Sequence, residues 1–102
     1  MERMLILFSA PANPEAFDRV YFEDHVPLVK KLPGLVGYAA SRNVRAVAAE
    51  SPYYMVVELD WADRDTMREC WRSAEGQAVT AHASELHAER LTLTMSPEAL
   101  LG

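Results

Sequence analysis

The residue of this chain best suited to acid–base chemistry is His25, which lies in the stretch from Tyr21 to Gly34. On a helix it shares one face with four core-type residues spaced three or four apart, namely Phe17, Tyr21, Leu28 and Leu32. Pro27 has no N–H for the preceding turn, so the helix should bend or loosen there. Two interpretations remain open: a core histidine paired with a backbone carbonyl, or a histidine that meets a ligand beside the irregular turn and acts as acid or base near neutral pH.

The other residues that could take part in chemistry have weaker support for a metal-binding, nucleophilic or phosphate-binding role. His82, Glu85 and His87 lie close together, but on a helix only His82 and Glu85 share a face, and no HExxH or paired-cysteine spacing is present. No metal site is therefore predicted. Cys70 lies mid-helix beside Trp71 with no base nearby in the sequence, which indicates a buried thiol. The scattered glycines form no phosphate-binding loop, so no nucleotide cofactor is expected.

Composition narrows the class of protein. The 102 residues fit one domain, residues 1–102, and half of them are apolar. Ten basic and fifteen acidic residues give a net charge of −5, which argues against nucleic acid or an anionic membrane as partner. A single cysteine excludes an internal disulfide. The apolar run at residues 4–8 is too short for a signal peptide or a membrane span, so we expect a cytoplasmic protein.

The first half of the chain predicts a strand, a helix and a second strand. Residues 3–9 contain five consecutive apolar residues, at positions 4–8, which predicts a strand buried on both faces. Asn13 is a suitable N-cap for a helix that begins at Pro14 and runs to about Leu32, where a Pro-Gly pair ends it. Residues 35–49 predict a strand with a bend or bulge near Gly37.

The second half predicts a strand, helical segments and a final strand. Residues 53–61 are aromatic and β-branched, typical of a strand, and adjacent Tyr53 and Tyr54 must point to opposite faces. Asp63 caps a helix with an inward stripe of Met67, Cys70, Trp71 and Ala74. Residues 73–76 interrupt or end that helix, and a helical segment follows over about 77–87. Residues 89–95 alternate as a half-buried strand before a tail at 96–102.

This order of elements predicts an α+β, ferredoxin-like βαββαβ fold, with a four-stranded antiparallel sheet and both helices on one face. Two helices cover only one face of a sheet, while the first and third strands are apolar on both sides. The uncovered apolar face predicts a homodimer with the two sheets packed against each other.

Four segments carry a resemblance to a known family. They are YFxxHxPLxxxLPGLxxY over residues 21–38, SPYY at 51–54, ELDW at 58–61 and SAEGQ at 73–77. In this order they span residues 21–77, just over half of the chain, and together they resemble the EthD-like family of dimeric α+β barrels. A fifth segment, residues 80–86, departs from the family pattern. His82 stands where the family usually has an aspartate, and Glu85-Leu86 replace Asn-Phe. That departure puts a shared mechanism in doubt.

The resemblance implies a homodimer whose protomers each hold a mostly apolar pocket between sheet and helices. It implies a hydrophobic, aromatic or polyketide-like ligand and cofactor-free proton transfer, in a cyclisation, isomerisation, dehydration or decarboxylation, with His25 as acid or base. The expected substrate-binding residues are Tyr21, Tyr38, Tyr54, Trp71 and His82. Two alternatives remain: a non-catalytic accessory or ligand-binding protein of a degradation or biosynthetic pathway, and a cofactor-free monooxygenase.

Overall fold

Four antiparallel strands form the central sheet of the computed structural model, which describes residues 1–102. They are β1 (Glu2–Phe8), β2 (Leu35–Ser41), β3 (Met55–Trp61) and β4 (Arg90–Met95), in the spatial order β2-β3-β1-β4. Helix α1 consists of the segments Pro14–Arg19, Val20–His25 and Val26–Val29, and α2 (Arg64–Arg72) and α3 (Ala74–His82) precede a 3-10 turn, Ala83–Glu85. The α+β, ferredoxin-like prediction is confirmed.

Helix α1 begins as predicted and loosens in its middle. The Asn13 side chain accepts a hydrogen bond from the Ala16 N–H at 3.1 Å, which caps the first turn. The segment Val20–His25 is π-helical, and its last bond runs from the Val26 N–H to the Tyr21 carbonyl, five residues back. This wider turn immediately precedes Pro27, so the predicted loosening is confirmed.

The π-helical turn changes which residues share the buried face of α1. Phe17, Tyr21, His25 and Leu32 are buried as predicted, but Val29 is buried where Leu28 was expected, and Leu28 is only half-buried. A π turn holds more residues than an α turn, so the buried positions continue at a spacing of four through Val29. The predicted stripe was wrong at this one position.

Strand β2 is shorter than predicted because its neighbour is short. The predicted bulge near Gly37 is confirmed by a register shift between Leu35 and Gly37 in the pairing with β3. The prediction of a strand up to residue 49 was wrong, because β3 begins only at Met55 and the last pair joins Ser41 to Val56. Beyond that point the chain has no strand to pair with, and residues 42–54 form a connection containing one isolated bridge.

A single serine divides the second helical region. The Asp63 side chain caps α2 by accepting from the Thr66 N–H at 2.8 Å, as predicted. Ser73 is extended, ends α2 and caps α3 by accepting from the Gly76 N–H at 3.0 Å. The break removes Ala74 from the predicted inward stripe, and Ala74 is exposed. A Cβ at Gly76 would lie 2.1 Å from the Cys70 carbonyl oxygen, so only glycine allows this close junction.

The sheet has two different faces. Its helix side carries the core, which includes Phe8 and Trp61. On the other side Leu5 of β1 pairs with Leu93, and Leu7 pairs with Leu91. Leu91 and Leu93 are 47% and 41% exposed, so β4 is less buried than predicted because no helix covers this outer face. None of the helices combines the length and apolar character needed to cross a lipid bilayer.

Candidate functional site

A cavity of about 160 Å³ lies between the sheet and the helices. Twelve of its sixteen lining residues are hydrophobic, and none is acidic. The lining residues are Met4, Ile6, Phe8, Tyr21, His25, Val29, Tyr38, Val57, Leu59, Trp71, Val79, Thr80, Ala83, Leu86, Arg90 and Thr92. The arrangement is that of a small-molecule site, in which an apolar wall carries a few polar groups.

The structure brings most of the residues predicted for the site together. His25, Tyr21, Tyr38 and Trp71 line the cavity, and His82 contacts His25 from the end of α3 without lining the cavity itself.

Tyr54 does not line the cavity. Its hydroxyl donates to both carboxylate oxygens of Asp18 at 2.8 and 2.9 Å, and its ring packs edge-on against Phe17. The side chain therefore faces the helices, but at the start of α1 and away from the cavity.

His25 and His82 form a hydrogen-bonded pair. Their Nδ1 atoms are 2.9 Å apart and their rings are stacked with centroids 5.2 Å apart. In the neutral pair one imidazole carries its proton on Nδ1 and donates it, and the other accepts. When His25 is the donor, its Nε2 is left as a proton acceptor, since the hydrogen bond of this side chain within the chain is made by Nδ1.

The environment keeps His25 uncharged. Its side chain is only 6% exposed, and burial, together with the nearby His82 and Arg90, lowers its pKa to about 4. At neutral pH His25 is therefore a neutral imidazole that can accept or donate one hydrogen bond in the cavity.

Two tyrosines form a second polar pair. The hydroxyl oxygens of Tyr21 and Tyr38 are 2.6 Å apart. Burial raises the pKa of both phenols above the ordinary value, so both hydroxyls stay protonated. One proton holds the pair together, and the other is free to be donated to a ligand oxygen.

Three polar residues at the mouth of the cavity were not identified from the sequence. Thr80 on α3 and Arg90 and Thr92 on β4 line the cavity and are exposed, so the cavity opens between these two elements. The alternation of polar and apolar residues in β4 could have identified two of them, since Arg90 and Thr92 point to the side of the sheet opposite Leu91 and Leu93.

The remaining reactive residues lie outside this arrangement. Cys70 is fully buried, and burial raises the pKa of its thiol. Glu85 and His87 are exposed and do not join His82. No group of three or more histidine, cysteine, aspartate or glutamate side chains is placed to hold a metal ion.

The chain is similar to known proteins over most of its length. A family model of the EthD domain matches residues 10–89. An uncharacterized 11.0 kDa protein of Rhodococcus erythropolis, from the thcB-thcC intergenic region, is 28% identical over 98 residues, covering 96% of this chain and 95% of that protein.

Many solved structures are similar in fold. An ethyl tert-butyl ether D (EthD) family protein of Bacillus halodurans C-125 has a TM-score of 0.88 and 28% identity, with 96% of this chain and 99% of that chain covered. SnoaB of Streptomyces nogalater, a cofactor-independent oxygenase, has a TM-score of 0.73 and 18% identity, with 98% and 95% covered.

Proposed function

The chain belongs to the EthD family, and we propose that it binds a small hydrophobic molecule in its cavity and moves a proton on that molecule through His25, without a cofactor. The observation that carries the proposal is the Nε2 atom of His25, which has no partner within the chain and belongs to a neutral imidazole in an apolar cavity. A group that both accepts and returns a proton can catalyse an isomerisation or a related step.

The proposed step uses the chain's own groups in a balanced sequence. The ligand is a carbon acid next to a carbonyl, and its C–H proton moves to Nε2 of His25 while the electron pair moves to the carbonyl oxygen. The imidazolium formed donates its Nδ1 proton to Nδ1 of His82, 2.9 Å away. The free hydroxyl proton of the Tyr21–Tyr38 pair is donated to the developing oxyanion. Return of the proton to another atom completes an isomerisation.

A non-catalytic binding protein is the second candidate. It is favoured by the pKa of His25, about 4, because such an imidazole is a weak base at neutral pH. In that case His25 only exchanges a hydrogen bond with a ligand carbonyl or phenol, and the ligand is released unchanged.

Hydrogen–deuterium exchange separates these two candidates. Phenylacetone is a one-ring carbon acid, and its benzylic signal in D₂O is followed by proton NMR with and without the protein. We expect exchange on the order of 100-fold faster than in buffer, lost in His25→Gln and retained in His87→Gln, which alters an exposed histidine away from the cavity. Binding without faster exchange would support the carrier and refute the catalyst. Oxygen consumption with a product heavier by one oxygen atom would instead indicate a cofactor-free monooxygenase.

We further propose that two copies pair through the outer face of the sheet. Leu5, Leu7, Leu91 and Leu93 form a continuous apolar patch there, and Val56 pairs beside Leu7. Two exposed leucines on an edge strand are unfavourable in water and lose that exposure when a second sheet packs on them. A two-fold axis through the patch places the same residues on both sides of the interface.

A further inference from the structure

The charge of the cavity is positive, although the chain as a whole carries −5. Arg90 is the one lining residue with a permanent charge, since His25 is neutral at neutral pH and no aspartate or glutamate lines the cavity. The ion pairs of the chain involve Arg3 and Arg68, and no carboxylate lies within 4.0 Å of Arg90.

The guanidinium of Arg90 is held in place by one nitrogen only. Its Nη2 donates to the carbonyl oxygen of Ala83 in the 3-10 turn at 3.2 Å, and to those of Leu86 and Ala88 after the turn at 2.6 and 3.4 Å. Its carbon Cζ lies 5.0 Å from the centroid of the Phe8 ring. Nη1 and Nε have no acceptor within the chain, so three N–H groups of a fixed cation remain available at the mouth.

Trp71 adds no free donor to the cavity. Its ring lines the cavity, but its indole Nε1 is buried and not accessible from the cavity. The free donors and the positive charge are those of Arg90, and no group of the chain balances that charge. An acceptor with negative charge would therefore complement the cavity.

The volume limits the size of the ligand. An engineered protein cavity of about 150 Å³ holds one benzene molecule. The cavity here, about 160 Å³, encloses one aromatic ring or an aliphatic group of that size, and a polar substituent would reach Arg90 at the mouth.

We propose that the ligand is a small hydrophobic carboxylate, whose apolar part fills the cavity and whose carboxylate accepts hydrogen bonds from Arg90. This inference rests on the proposed ligand-binding function of the cavity and adds the ligand's charge and size. A charge-assisted hydrogen bond to a fixed guanidinium is stronger than a neutral one, so the anion is selected over its neutral analogue.

Benzoate and benzamide have nearly the same shape but differ in charge, so the pair tests whether the cavity selects an anion. The chain has two tryptophans, and only Trp71 lines the cavity, so their indole N–H signals report binding in ¹H–¹⁵N spectra. We expect both probes to shift the Trp71 signal more than that of Trp61. Benzoate should bind at least about ten-fold more tightly than benzamide.

Three variants show whether Arg90 causes the preference. Arg90→Gln should weaken benzoate about ten-fold or more while benzamide affinity stays within about two-fold, and Arg90→Lys should keep part of the preference. Arg64→Gln removes the same charge from an exposed arginine outside the cavity and should change neither affinity. Benzamide binding reports that the cavity of each variant is intact.

The possible results separate failure of the carboxylate inference from failure of the proposed binding function. Equal affinity for benzoate and benzamide, or a preference that survives Arg90→Gln, would overturn the assignment of the carboxylate while leaving the cavity as a binding site. If neither probe shifts the Trp71 signal at millimolar concentration, both this inference and the proposed binding function are refuted.

Discussion

The buried neutral histidine predicts a specific loss of stability in mild acid. The ordinary pKa of a histidine is 6.5, and that of His25 in the folded chain is about 4. As the pH falls below 6.5, the unfolded chain binds a proton at His25 that the folded chain does not bind. The free energy of unfolding therefore decreases from about pH 6.5 downwards and stops decreasing on this account near pH 4, where the folded chain also becomes protonated.

The magnitude is large enough to measure. A gap between 6.5 and about 4 corresponds to about 3 kcal/mol when the pH lies below both values. Proton linkage places about 2 kcal/mol of this loss between pH 7 and about pH 5, above the range where most carboxylates titrate. A domain of about 100 residues has a total stability of about 5–15 kcal/mol, so the loss is a substantial share.

Urea unfolding followed by tryptophan fluorescence measures this loss, at one fixed protein concentration so that any association contributes equally at each pH. With a denaturant slope of about 2 kcal/mol/M, the wild-type midpoint should fall by about 1 M between pH 7 and about pH 5. In His25→Gln, which has no titrating ring at this position, most of that fall should disappear. His87→Gln, at an exposed histidine, should behave like the wild type. An unchanged pH dependence in His25→Gln would refute the conclusion that burial holds His25 neutral.

Two further predictions concern the tyrosine pair and the outer face of the sheet. Tyr21→Phe removes the hydroxyl that contacts Tyr38 at 2.6 Å, and the free energy of unfolding should fall by about 1 kcal/mol. Tyr53→Phe, at a hydroxyl with no such contact, should leave it unchanged in the same urea experiment. Leu93→Glu should convert the proposed dimer to a monomer in light scattering at micromolar concentration, because it buries a charge in the apolar patch. Thr94→Glu, on the opposite face of β4, should remain dimeric, and a monomeric wild type would contradict the proposal.

The elements of this fold were predictable where their signals are local. The caps at Asn13, Asp63 and Ser73 each depend on a side chain and a backbone N–H three residues later, which the sequence contains. The end of β2 was not predictable in this way. A strand ends where its neighbour ends, and the late start of β3 at Met55 is a property of the pairing, which the residues after Ser41 do not reveal.

The sequence identified the cavity residues of α1 together with Tyr38 on β2 and Trp71 on α2, but it did not identify the polar residues at the mouth. Tyr21 and His25 follow from helical periodicity, although the π-helical turn moved the buried position from Leu28 to Val29. Tyr54 points to the helix side as expected, but it lies just before β3 and reaches Asp18 instead of the cavity. Sequence spacing gives the direction of a side chain, whereas its neighbours depend on how the helices cross the sheet.

The histidine at position 82 changes the electrostatics of the site as well as its chemistry. A carboxylate at this position would favour the protonated form of His25 and would balance the charge of Arg90. An imidazole provides the hydrogen bond at 2.9 Å without the negative charge. His25 therefore stays neutral, and the positive charge of Arg90 has no partner in the chain. A bound carboxylate would supply the missing negative charge beside both groups and would make His25 a stronger base.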